Sequence, residues 1–122
     1  MKTLASLSFP SSQRVDQSLE VLPRRQHVVA VLDSDSDRVD RFVFNDVLSA
    51  RITYYKACTA AMVSAYDKLV EISDSEWLSE VKKTVEAANG DGSNLRQFML
   101  YFDDGPCYEF VCRSAEYTKP DA

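Results

Sequence analysis

The sequence predicts an α+β domain, an antiparallel sheet of three to five strands with a long helix and a second helix packed on one face. Three observations lead there. Residues 37–72 contain neither Gly nor Pro, and their apolar residues recur at steps of three and four. Two short runs between Phe98 and Cys112 alternate at a period of two. Strands and helices segregate along the chain instead of alternating, which favours helices gathered on one side of an antiparallel sheet.

The N-terminal dozen, MKTLASLSFPSS, has an apolar stretch too short for a signal peptide and interrupted by Ser6, Ser8 and Pro10. Its Ser-rich, acid-free composition also fits a transit sequence or a flexible arm. The preferred reading is an edge strand, Thr3 to Phe9, with Leu7 and Phe9 facing the core. Pro10, Ser11 and Ser12 mark a loop. Leu19 to Leu22 reads as a strand that Pro23 ends. His27 to Leu32, HVVAVL, is short, β-branched and almost wholly apolar, as a covered strand must be, and is expected to pair with a strand of the later hairpin.

Asp33 to Asp37 supply short side-chain oxygens and negative charge, both suited to the first turn of a helix. Phe44, Leu48, Ile52, Tyr55, Thr59, Met62, Tyr66 and Leu69 then form the apolar stripe of a long helix from Asp37 to Ile72. At 1.5 Å per residue it would span roughly 54 Å, long enough to require a kink or break. The small residues Ala57, Cys58, Thr59, Ala60 and Ala61 mark where another element crosses it or where two copies associate.

Ser73 with Glu76, and Ile72 with Trp77, have the spacings of a capping box and a hydrophobic staple, so a second helix is expected from Ser73 to Asn89 and Gly90. Phe98, Leu100 and Phe102 alternate with Met99 and Tyr101, and Tyr108, Phe110 and Cys112 alternate with Glu109, Val111 and Arg113. With Asp103, Asp104, Gly105 and Pro106 between them, these runs predict a β-hairpin. Residues 114–122 read as a polar tail.

At 122 residues the chain is expected to form one domain with a core of its own. No apolar run reaches the length of a bilayer crossing. Residues 1–32 carry four basic and two acidic groups, whereas residues 33–122 carry ten and seventeen. That balance argues against direct nucleic-acid binding, which draws its affinity from phosphate neutralisation. The odd count of three cysteines favours free thiols and a reducing, cytoplasmic location.

Motifs of chemistry are scarce. Asp33, Asp35 and Asp37 start like a calcium loop, but Arg38 stands where that loop needs Gly and Phe44 where it needs Glu. His27 has no nucleophile brought near it by sequence. Cys107 and Cys112, five apart, point to opposite faces of a strand and cannot share a metal. No phosphate loop, dinucleotide fingerprint or nucleophile elbow is present. The expectation is a protein without catalytic residues, metal or cofactor.

What remains is surface. Met99, Tyr101, Glu109, Val111 and Arg113 lie on the hairpin face opposite Phe98, and Asp103 and Asp104 sit at its turn. These seven are the expected partner-binding residues, because aromatics, Met and Arg are enriched at interfaces and acids steer basic partners. The acidic stretch Asp33 to Asp40 adds to that steering. The expected function is binding to another protein, itself basic or nucleic-acid-handling, as an inhibitor, immunity or phage or viral anti-defence protein does, away from any membrane. A small-molecule or enzymatic domain with a pocket lined by Tyr54, Tyr55, Tyr66 and Tyr108 is one alternative. A homodimer or larger structural assembly is the other.

Overall fold

A computed structural model describes residues 1–13, 15–103 and 105–119. Among them the protein is a β-sandwich, not a sheet under two helices. The strands are β1 (Lys2–Ser6), β2 (Val15–Leu22), β3 (Gln26–Asp33), β4 (Arg38–Asn45), β5 (Ser49–Thr53), β6 (Lys68–Ile72), β7 (Arg96–Tyr101), β8 (Cys107–Cys112) and β9 (Ser114–Thr118). A five-stranded sheet has the order β1-β6-β7-β8-β5, and a four-stranded sheet the order β2-β3-β4-β9. Every strand pairing in both is antiparallel.

The long helix expected from Asp37 to Ile72 does not form. Its place is taken by β4, β5, a single helical turn α1 (Ala60–Val63) and β6. Two physical reasons account for the correction. The stretch is rich in β-branched and aromatic residues, which pack well on a pleated surface. In β4, Asp40, Phe42 and Phe44 are buried while Arg41 between them faces water and Val39 and Val43 are only half-buried, a period of two. The turns that glycine normally marks are made by aspartate instead. Asp37, Asp46 and Asp67 all adopt positive φ, near 57°, a conformation their short polar side chains tolerate.

The acids read as a helix cap form the β3–β4 turn. The Asp33 carboxyl accepts from the Asp35 backbone N–H at 3.2 Å and from Ser36 Oγ at 2.7 Å. Asp37 N donates to the Asp33 carbonyl at 2.9 Å, closing the turn. The strand expected at His27 to Leu32 is present as β3, but it pairs with β2 and β4 and not with the hairpin. Ser114–Thr118 is a strand bonded to β4, where a polar tail was expected.

The expected second helix is α2 (Glu76–Ala87), capped by Ser75, whose Oγ accepts from Leu78 N at 3.0 Å, and not by Ser73. Asn89 takes the left-handed conformation that ends it. The expected hairpin is β7 and β8. Phe98, Leu100, Phe102 and Phe110 face Val29, Val31, Phe42 and Phe44 of the other sheet, forming the main core, and Leu7 and Phe9 close one side of it. Phe44 stacks on Phe110 with centroids 4.1 Å apart, and Phe42 lies 5.7 Å from Phe102.

The opposite face of the hairpin is covered as well. Leu78, Val81 and Val85 of α2 pack over Val111, and the segment around α1 packs Met62, Ala65 and Tyr66 against Met99, Tyr101 and Cys107. The five-stranded sheet is therefore a middle layer. No helix of the described residues is long and apolar enough to cross a membrane.

Candidate functional site

The sandwich leaves one side open, where β5 of one sheet and β2 of the other are both terminal strands. A cleft of about 400 Å³ lies there, lined by Val15, Asp16, Gln17 and Leu19 from β2, Ile52 and Tyr54 at the end of β5, and Asp103, Gly105, Pro106 and Tyr108 at the hairpin. Its floor is fixed by hydrogen bonds. Tyr108 Oη donates to Gln17 Oε1 at 3.1 Å, and Gln17 Nε2 donates to the Asp103 carbonyl at 3.3 Å. A Cβ at Gly105 would overlap the Gln17 amide, so this position needs glycine for the side chain to close over the turn. Burial pushes the Tyr108 phenol up to about 12, which keeps it a neutral donor.

The rim is apolar and aromatic. Tyr54 is 71% exposed, Tyr55 63% and Ile52 43%, a cluster of large side chains that the fold leaves in water. Beside it Asp16 and Asp103 form no ion pair among the described residues. Asp103 is positioned by its own backbone N–H, which donates to Ser11 Oγ at 2.8 Å; Ser11 in turn bonds the Asp67 carboxyl through both its N–H and its hydroxyl.

The seven residues expected to bind a partner are dispersed. Met99, Tyr101, Glu109 and Val111 are buried within the chain itself, under α1, α2 and their connections. The hairpin is apolar on both faces because both are covered. Arg113 is half-buried; its Nε donates to Asp46 at 2.9 Å and its Nη2 to the Asp91 carbonyl at 2.7 Å. Asp103 is at the cleft, and Asp104 lies outside the described residues. Of the acids expected to steer a partner, Asp33 and Asp40 are buried, whereas Asp35 and Asp37 are exposed.

The four tyrosines of the alternative pocket also separate. Tyr54 and Tyr108 share the cleft, Tyr55 follows Tyr54 in the chain and is exposed, and Tyr66 packs against Tyr101 on the far face of the sheet. Sequence reading hid the rim because a helical stripe assigned Ile52 and Tyr55 to the core. The retrievable signal was the dipeptide Tyr54-Tyr55 next to the short run SARIT.

Elsewhere the polar groups serve the fold. Glu71 and Arg96 form a two-pronged pair, both contacts 2.7 Å, that bridges β6 and β7 and holds the glutamate below the usual carboxylate range. Glu109 accepts from Arg51 Nη2 and Gln97 Nε2, each at 3.1 Å, while the Arg51 guanidinium lies 3.9 Å over the Trp77 ring. Burial pushes Cys107 and Cys112 up to about 12, which leaves them poor nucleophiles. The His27 ring packs on Phe110 at 5.6 Å, and its buried Nδ1 has no hydrogen-bond partner among the described residues. Among the described residues no three His, Cys, Asp or Glu side chains converge to hold a metal.

Comparison of the chain with protein-family models, with curated proteins and with solved structures finds no match.

Proposed function

We propose that this chain is a non-enzymatic binding protein that attaches to a basic protein through the β2–β5 side of the sandwich. The observation that carries this reading is the exposed cluster of Ile52, Tyr54 and Tyr55 set beside Asp16 and Asp103. Aromatic side chains in water are costly for a folded surface to keep and are frequent anchors of interfaces. Carboxylates next to them that have no ion pair among the described residues favour a cationic partner, as does a formal charge of −5. A blocking role in the cytoplasm, as an inhibitor, immunity or anti-defence protein, follows from occupation of a partner's basic surface by a protein of this size.

Affinity capture from lysate of the protein's own host, at low and high salt, tests the reading when wild type is run beside a Tyr54→Ala/Tyr55→Ala variant. The expected result is one partner retained near stoichiometry by wild type, released by salt, and bound at least about tenfold more weakly by the variant. A partner held equally by both proteins, or no partner at either salt, would overturn the assignment.

A further inference from the structure

We infer that Cys58 and Cys107 are an oxidative modification site, at which hydrogen peroxide forms a disulfide that ties the segment after β5 to β8. The inference concerns the thiols and does not depend on the binding role proposed above.

All three cysteines are free, and the fold gives each a different setting. Cys112 is buried in the main core between the sheets. Cys107 is buried on the opposite face of β8, beneath the segment that carries α1. Cys58 packs against that same cluster but is only half-buried.

Thr53 joins the surroundings of the two sulfurs. It stands opposite Cys107 in the β5–β8 ladder, which sets the two Cα atoms roughly 4.5–5.5 Å apart with their side chains on one face. The Cys58 thiol donates to the Thr53 carbonyl at 3.3 Å. Burial first, and then the neighbouring Glu109 and Cys58, push the Cys107 thiol up to about 12, so the two cysteines are also electrostatic neighbours. Between Thr53 and Cys58 the chain makes a 3-10 turn, Tyr55–Ala57, and Cys58 belongs to neither sheet ladder. The adjustment that brings sulfur to sulfur therefore falls on a connection and leaves both strands in register.

These settings order the chemistry. Cys58, the more accessible thiol, is oxidised first: its sulfur takes an oxygen atom from peroxide, giving a sulfenic acid and one water. Cys107 reacts only with a group already held beside it, because burial keeps it from solvent and protonated. Its sulfur attacks the Cys58 sulfur, the S–O bond breaks as the S–S bond forms, and the departing hydroxide leaves as water with the Cys107 proton. Cys112, on the other side of β8, takes no part. The product holds Tyr54 and Tyr55, which lie between Thr53 and Cys58, against β8.

Peptide mapping of the full chain tests this without any substitution. The native protein is treated with an equimolar amount of hydrogen peroxide, then denatured, alkylated and digested without reduction. The expected product is one peptide pair joining Cys58 to Cys107, with Cys112 recovered alkylated. In Cys107→Ser protein, Cys58 should instead be trapped by dimedone as the sulfenic acid. Amide hydrogen exchange should slow across residues 54–58 of the oxidised protein and stay unchanged in both sheets. Conversion of Cys58 to sulfinic acid without a crosslink would overturn the inference, as would Cys58 joined to Cys58 of a second chain or any bond to Cys112. Faster exchange throughout both sheets would overturn it too, since the bond would then require the fold to open.

Discussion

Phe42→Ala is expected to destabilise the protein by about 3–5 kcal/mol, the usual cost of removing a large aromatic side chain from a packed core. Phe42 is fully buried, stacks on Tyr117 with centroids 4.8 Å apart, and lies 5.7 Å from Phe102 of the facing sheet. Its removal opens a cavity between the two sheets, where neither backbone can collapse freely. Against a total stability of about 5–15 kcal/mol, the loss is large. In urea the unfolding midpoint should fall by about 2 M, with little change in slope. Phe42 lies off the apolar stripe of a helix running from Asp37 to Ile72, so the same substitution in such a helix would cost little. A midpoint shift below about 0.5 M would contradict the sandwich core.

Asp40→Ala is expected to cost about 2–4 kcal/mol, because it removes three hydrogen bonds to one buried carboxyl at once. Asp40 is buried among the apolar residues of β4, and three donors converge on its carboxyl: Ser8 N at 2.8 Å, Ser8 Oγ at 2.7 Å and Tyr117 Oη. This is the polar join between the chain leaving β1 and the β4–β9 pair. Burial, and then the hydrogen bond to Asp40, push the Tyr117 phenol up to about 12, so it stays protonated and donating through the neutral range. Tyr117→Phe removes one donor and leaves the other two in place, so it should cost only about 1 kcal/mol. The effects of Phe42→Ala and Asp40→Ala should not add, since both act through Tyr117. Equal, small losses for Asp40→Ala and Tyr117→Phe in urea unfolding would remove Asp40 from this role.

Much of the local structure was legible where one pattern had one reading. The alternation from Phe98 to Cys112 gave the hairpin, and HVVAVL gave β3. α2 was visible from its cap and its Asn-Gly stop, with the cap displaced from Ser73 to Ser75. The failure between Asp37 and Thr53 has a specific cause. Apolar residues at Phe44, Leu48 and Ile52 satisfy a helical period, while Asp40, Phe42 and Phe44 satisfy a strand period, and the turn that would have decided the matter is made by Asp46 rather than glycine. β9 was illegible for another reason: none of its side chains is fully buried, and only Ala115 and Tyr117 pack against the core, so its sequence resembles a tail.

The candidate site was harder to read than the fold. Met99, Tyr101 and Val111 have the composition of an interface, but that composition also suits the buried side of a sheet covered on both faces. Only the topology distinguishes the two cases. It also places Tyr54, Asp16 and Asp103, far apart in sequence, on the same open side of the sandwich. Asp103 was among the residues expected at an interface, and it is one of the two carboxylates now used in the proposal.

Site-specific photo-crosslinking in host lysate reads directly which surface of the protein meets its partner. p-Benzoylphenylalanine would be placed at Tyr54, which lines the cleft, and separately at Thr84, on the groove of about 430 Å³ between α2 and β5. A salt-sensitive crosslink to a basic protein is expected from position 54 and none from position 84. A crosslink from position 84 alone would contradict it and move the binding surface to α2.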